Sequence, residues 1–365
     1  MDRLQLLDAG LRAFDASLPG VAPPLCLATR YRASSCRRCL DVCPTAAVEP
    51  APWLRLVPER CSSCGACAAV CPTGALAFTA RSEALRERLC AIAAGGGRQA
   101  MVACRRVELD VVCPEAAPAR LGKDGDGDHD DGEVVVLPCL GALSAAELIG
   151  AAVAGISGLT LVSAGCEACR ERSAALSVES AIDTAVATLE ALGGPLSVTR
   201  RSAPHAAGRH DEPEAPAGPA LSRRDLFAFL ARGARRTAAE GLAPARRTIA
   251  DLHGQAPPPA RHGRLRADLG TLAARGGVGY AAPPAVALPA ALPLASLEVG
   301  PGCTGCDLCV RYCPHGALTL AGGVPRCDES LCTGCGLCVE VCPPAALALR
   351  PVTARSLPGP PAGVP

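Results

Sequence analysis

Between about Ala80 and Thr199 short apolar runs alternate with longer amphipathic ones. The runs "QAMVA", "VVVLP", "LTLVS" and "LSVT" have strand length and β-branched content, and helical periodicity fills 144–154 and 172–192. Strands alternating with helices predict an α/β domain with a mainly parallel sheet over 81–199. The stretch from Leu148 to Gly165 is uncharged but broken by Gly and Ser, and it reads as helix, turn and buried strand rather than a membrane span.

On either side the pattern changes. From Thr199 to Leu294 the chain is rich in Pro, Ala, Gly and Arg, the composition of a linker over 200–294. One amphipathic helix near 222–236, "LSRRDLFAFLARGARR", is expected inside it, capped by Ser222 with Asp225 three residues on and Phe227 and Leu230 on its apolar face. Its SRRDLF resembles a twin-arginine export signal, but two hundred residues of upstream chain make that position wrong for export. A disordered tail is expected over 351–365.

Composition sharpens the picture. Of the 365 residues, aromatics are 2%, while Gly contributes 38 and Pro 34, so material for a large core is scarce. The 23 cysteines are an odd number grouped in regular runs, which points to metal rather than disulfides. Net charge is +1 with mixed signs, giving no basic surface for nucleic acid. No secretory leader is recognisable at the N-terminus, so the expected compartment is a reducing cytoplasm.

Four cysteine runs recur: "SSCRRCLDVCP", then "CSSCGACAAVCP" from Cys61, "CTGCDLCVRYCP" from Cys303 and "CTGCGLCVEVCP" from Cys332. Three carry the full C-x2-C-x2-C-x3-C-P spacing. Three thiolates two residues apart can wrap one cubane, while the fourth cysteine reaches another cluster. Zinc needs neither the Cys-Pro ending nor the interlocked pairing. The proline after the fourth cysteine is expected to launch a short helix, and Gly65, Gly305 and Gly336 to let the loops approach closely.

These runs resemble the bacterial two-cluster [4Fe-4S] ferredoxins, over about Cys26 to Phe78 and Pro301 to Leu349. The resemblance implies an α+β multi-domain chain with two-cluster ferredoxin domains at 1–80 and 295–350 flanking the α/β domain. It assigns Cys303, Cys306, Cys309 and Cys342 to one cluster and Cys313, Cys332, Cys335 and Cys338 to another. At the other end it assigns Cys43, Cys61, Cys64 and Cys67 to a third, leaving Cys36, Cys39 and Cys71 for a fourth. There Ala33 stands where the first ligand belongs. Cys26 is near enough along the chain to complete that site; the alternative is a [3Fe-4S] cluster on three cysteines. Arg37 and Arg38 add positive charge beside it, and Cys327 is expected to be an inert thiol.

In the central domain Cys104, Cys139, Cys166 and Cys169 follow three of the strands, at the edge where open α/β sheets bind ligands. Four thiols there can hold a [2Fe-2S] cluster or another metal; the alternative is buried cysteines acting as small apolar residues. "LPCLGALSAAELIGAAVAGISGLTLVSAGCEACRE" resembles the small iron-sulfur subunit of methyl-viologen-reducing hydrogenases, which implies an electron relay, with Cys113 a rival to Cys104 as first ligand. Cys90 reads as a thiol on a helix face, and "GKDGDGDHDDGE" as a solvated loop that fails the EF-hand pattern.

No nucleotide-binding loop or catalytic triad is recognisable, so no catalytic centre is expected. His205, His210, His253 and His262 are expected in solvent, and His315 as an exposed residue at a helix start. The expected function is an electron-transfer polyferredoxin with four [4Fe-4S] clusters serving redox protein partners. The alternatives are an electron-transfer subunit of a larger dehydrogenase or hydrogenase-like complex, and a redox-sensing or cluster-assembly protein.

Overall fold

The computed structural model describes residues 18–50, 52–108, 134–204, 255–256, 258–275 and 286–358. The amphipathic segment at 222–236, the acidic loop, Cys113, His205, His210 and His253 lie outside these residues.

The middle of the chain is a four-stranded parallel sheet: β5 (Gln99–Cys104), β6 (Val134–Leu137), β7 (Gly158–Ser163) and β8 (Ser197–Ser202), in the order β6-β5-β7-β8. Helices α4 (Thr79–Ala94), α5 (Ala145–Ala154) and α6 (Arg172–Leu192) connect or cover it. Ser144 and Glu147 close a reciprocal capping box at the start of α5. Val102, Leu148, Ile149, Leu161, Leu189 and Leu192 are all 2% exposed or less and belong to one core.

Each end of the chain is built from small hairpins around cysteine loops. At the N-terminal end β1 (Gly20–Val21) pairs with β4 (Leu76–Ala77), and β2 (Val48–Glu49) with β3 (Arg55–Leu56), all antiparallel. At the C-terminal end β9 (Ser296–Val299) pairs with β12 (Leu347–Arg350), and β10 (Leu318–Ala321) with β11 (Val324–Cys327). The same pairing scheme, outer with outer and inner with inner, therefore occurs twice. Short helices lie between: α1 (Leu27–Arg30), α2 (Arg38–Val42) and α3 (Ala66–Val70) in the first unit, α8 (Leu308–Tyr312) and α9 (Leu337–Glu340) in the second.

The segment expected to be linker is corrected by α7 (Ala260–Arg275). Leu265, Leu269 and Leu272 on one face are buried in the central core, at spacings of four and three residues. Its polar side chains reach all three units. The Arg261 guanidinium donates to the carbonyls of Ala68, Ala69 and Cys71 in the first, and Asp268 accepts both bonds of the Arg86 fork at 2.7 and 2.8 Å in the middle. In the second, His262 Nε2 lies 3.1 Å from the Ser330 carbonyl, and Arg266 donates to Glu329 O at 2.8 Å and Ser356 O at 2.9 Å. His262 is thus 2% exposed rather than solvated. The expected tail is corrected likewise up to Pro358: Val352, Ala354 and Leu357 are buried in the same core. Among the described residues no helix is long and apolar enough to cross a membrane.

Candidate iron-sulfur sites

The complete runs fold alike. In each, residues beside the second cysteine take left-handed backbone: Ser63 (φ 56°) and Gly65 (87°), Gly305 (67°) and Asp307 (59°), Gly334 (60°) and Gly336 (85°). A short helix then carries the third cysteine; it stops at the fourth in the runs ending at Cys71 and Cys313, and two residues before it in the run ending at Cys342. The expected helix after Cys-Pro is not formed; turns follow at Pro44, Pro72, Pro314 and Pro343. Cys43, Cys71 and Cys313 are extended at φ −77°, −75° and −61°, as residues before proline prefer, so the helix ends where the proline ring forbids its continuation.

In the C-terminal unit Cys303, Cys306, Cys309 and Cys342 line one cavity, walled by Leu320, Pro325 and Leu347. Cys313, Cys332, Cys335 and Cys338 line a second, together with His315 and Cys327. Burial pushes the Cys335 thiol up to about 12, with Cys313 and Cys332 adding to it. Cys338 is raised first by burial, then by Cys335, Cys332, Cys313 and Cys309, so the two sets adjoin. Cys327 is not isolated: a thiol-thiol hydrogen bond to Cys332 raises Cys327 and lowers Cys332. His315 is 4% exposed, with Nδ1 3.0 Å from the Ala256 carbonyl, which corrects the exposed placement.

In the N-terminal unit burial raises Cys61, Cys64 and Cys67; all three also feel Cys43. The Ala47 amide donates to Cys43 Sγ at 3.3 Å, and its counterpart Ala317 donates to Cys313 Sγ at 3.3 Å. Such amide donors stabilise thiolate sulfur and tune cluster potential. The thiols of Cys26, Cys36, Cys39 and Cys71 also come together. Burial pushes Cys39 up to about 12, and Cys71, Cys26 and Cys36 are the next largest influences on it. Cys26 closes the one-turn helix Pro23–Leu25 with its amide 3.0 Å from Pro23 O; Cys61 closes Pro58–Arg60 with its amide 3.0 Å from Pro58 O. The first cysteine of run two thus has a structural counterpart in Cys26. Arg37 is paired with Asp41 at 3.6 Å in solvent, so its charge is partly offset; Arg38 reaches Cys36 both electrostatically and through its amide.

The central cysteines end up at the carboxyl edge of the sheet. Cys139 is pushed up to about 12 by burial; the Gly141 amide, 3.3 Å from its sulfur, opposes this, and Cys64, Glu171 and Cys166 are within electrostatic reach. Cys169 Sγ instead meets Glu171 Oε2 at 3.2 Å, and Glu171 pairs with Arg106 at 2.7 Å, both side chains 9% exposed or less. Cys104 ends β5 beside Ala103, Val107 and Val162. Sequence reading missed Glu171 and Arg106; the signal was a carboxylate two residues after Cys169 in "CEACRE". Cys90 is exposed on α4.

The chemistry of the terminal cysteines fits iron-sulfur clusters. Buried thiols flanked by amide donors and apolar walls favour sulfur whose charge is taken up by a metal. Among the described residues no three His, Cys, Asp or Glu side chains converge on a single ion; the thiols of the C-terminal unit line two cavities instead.

Comparison with known families gives a match to the 4Fe-4S dicluster domain at residues 34–75 and again at 302–346. The chain carries two dicluster ferredoxin units. Two such domains support [4Fe-4S] clusters and an iron-sulfur electron-transfer role. Neither match includes Cys26 or the central sheet, and nothing found supports the resemblance to a hydrogenase subunit. No curated protein and no solved structure matches the chain.

Proposed function

We propose that the protein is a polyferredoxin: four [4Fe-4S] sites, two in each terminal unit, passing single electrons between redox protein partners. The gathering of Cys26 with Cys36, Cys39 and Cys71 carries this reading, because it supplies the ligand that the first run lacks. The remaining sets are Cys43 with Cys61, Cys64 and Cys67; Cys303 with Cys306, Cys309 and Cys342; and Cys313 with Cys332, Cys335 and Cys338. A cubane supplies one-electron chemistry with little ligand rearrangement; the protein's part is to hold thiolates, aim amides at sulfur and exclude water. The domain boundaries near 80 and 295 follow from this assignment, with α7 bracing the units. Burial of Cys64, Cys67, Cys71 and Cys309 favours a fixed carrier over a protein that donates its clusters.

A further metal site at Cys104, Cys139, Cys166 and Cys169, of [2Fe-2S] type, is supported by the closeness of Cys139 to both Cys166 and Cys64. A reducing, cytoplasmic setting suits so many free thiols. Anaerobic iron and acid-labile sulfide analysis tests the assignment. About 16 irons per chain are expected from four cubanes, and about 18 with the central site filled; stoichiometric zinc with little iron would overturn it.

A further inference from the structure

Cys26 and Cys61 occupy the same structural place, yet the segments that follow them differ. After Cys61 the next ligand is Cys64; after Cys26 it is Cys36, so residues 27–35 stand where the complete run has only Ser62 and Ser63. That insert begins with α1 and makes contacts that run largely to the C-terminal unit. Leu27, 4% exposed, packs with Leu337 and Val341 at 0% and 6%, and Tyr31, Leu308 and Tyr312 close around them. The rings of Tyr31 and Tyr312 meet edge to face, centroids 5.7 Å apart. Arg30 donates through Nε to Tyr312 O at 3.0 Å, and through Nη2 to Arg311 O and Cys313 O at 3.3 Å each. These are the last carbonyls of α8 and its cap, where a helix end attracts positive charge. The same guanidinium reaches back to Pro24 O at 2.8 Å, which ties both units to one side chain. At the insert's far end Ser35 bonds Glu340 on α9 through its hydroxyl and its amide.

Ligands of two different clusters flank this junction. Cys36 and Cys335 pack against the same apolar patch, and Arg30 lies within electrostatic reach of Cys313 and Cys335. The other adjacencies are equally specific. Cys309 and Cys338 adjoin within the C-terminal unit, and Cys39 and Cys67 within the N-terminal unit. Beyond them Cys64 adjoins Cys139, where Gly65 packs so tightly that an added Cβ would lie 2.7 Å from that of Ala142.

The geometry points to residues 27–35 as a docking insert that locks the C-terminal ferredoxin unit onto the N-terminal one, so that electrons cross between units inside a single chain. The order of sites is then the Cys303 set, the Cys313 set, the Cys26 set and the Cys43 set, with Cys139 at the far end. With clusters held by the Cys313 and Cys26 sets, the crossing would be a one-electron exchange between a reduced and an oxidised site, in which no bond forms or breaks and no proton moves. Arg30 is a positioning residue for this junction. The displaced cysteine has a structural reason as well: the space between first and second ligand is where the docking element was placed. This inference rests on the four-cluster reading above.

The test uses the full-length, cluster-loaded protein, fully reduced with dithionite, and low-temperature EPR. Unmodified protein is expected to show spin-spin interaction extending beyond either pair of clusters. Arg30→Ala combined with Tyr31→Ala is expected to abolish the inter-unit part while leaving iron and sulfide content unchanged; Arg30→Lys alone is expected to retain it. Two independent coupled pairs in the unmodified protein would overturn the proposal, and so would undiminished inter-unit coupling in the double variant. Loss of iron from one site in that variant would also overturn it, by showing that the insert serves ligand placement rather than docking. Iron near zero in the unmodified protein is a separate outcome and would remove the cluster assignment itself.

Discussion

Two glycines of α7 separate a structural helix from a linker by opposite responses to one substitution. Gly263 faces solvent, and a Cβ added there meets nothing within 4 Å. Gly263→Ala therefore gains only the helix preference of alanine, about 0.5–1 kcal/mol. At Gly270 the added Cβ lies 2.1 Å from the carbonyl oxygen of Pro358 and 3.2 Å from its carbon. That carbonyl is held in place by buried Leu357 and by the bond from Arg266 to Ser356 O at 2.9 Å. Overpacking of this kind costs about 1–3 kcal/mol, which outweighs the same propensity gain and leaves Gly270→Ala less stable by about 1–2 kcal/mol. The pair should then differ by about 2 kcal/mol, or about 4–8 °C in melting temperature for a body of this size. Anaerobic thermal melts followed by circular dichroism, on samples of matched iron content, read this directly. In a linker both variants would lie within about 0.5 kcal/mol of the parent. A Gly270→Ala protein that melts with Gly263→Ala, or above it, would refute the packing of α7 against the C-terminal segment.

Other consequences can be checked as directly. Cys26→Ser is expected to remove about one to four irons per chain, by conversion or loss of one cubane; adding Ala33→Cys is expected not to restore them, because Ala33 is exposed, and full iron in either protein refutes the ligand assignment. Burial lowers His262 to about 4, so between its ordinary 6.5 and that value the unfolded chain binds more protons and stability falls with pH. The loss approaches about 3 kcal/mol near pH 4, and His262→Gln should flatten the melting temperature against pH from 7 to 5; an unchanged slope contradicts this. Gly65→Ala combines a φ of 87° with a Cβ 2.7 Å from that of Ala142 and should destabilise by about 1–3 kcal/mol in melts of loaded protein; a neutral result would sink the close approach of the Cys64 loop to the Cys139 turn.

What the sequence made legible was whatever is encoded locally. Cluster ligands recur at fixed short spacings because one loop must wrap one cubane, and the strands of the central sheet announce themselves as β-branched runs between helical ones. The rest depended on distant partners. Leu265, Leu269 and Leu272 keep helical spacing, but the surrounding Pro, Gly and Arg outweighed three leucines until the core they enter was known. His262 and His315 read as surface residues because nothing nearby in sequence covers them; the Ser330 and Ala256 carbonyls that they meet lie 68 and 59 residues away along the chain. Cys327 looked idle since it falls outside the spacing, yet the β10-β11 hairpin carries it to Cys332.

The first run also differs from its siblings in the backbone beside its cysteines. In the complete runs the residue after the second cysteine is left-handed, as Gly65, Asp307 and Gly336. Left-handed backbone costs a residue with a Cβ about 1–2 kcal/mol, which restricts what can stand there. With Ala33 in place of the first cysteine, the chain between Cys36 and Cys39 has no thiol three residues before Cys36 to wrap back towards. Arg37 accordingly has φ −125°, an ordinary backbone open to any side chain. A long cationic residue stands there without the cost of a left-handed backbone. Arg37 and the absent cysteine therefore go together structurally: with Ala33 in place of a cysteine the loop makes no left-handed turn, and Arg37 stands there in solvent beside Asp41.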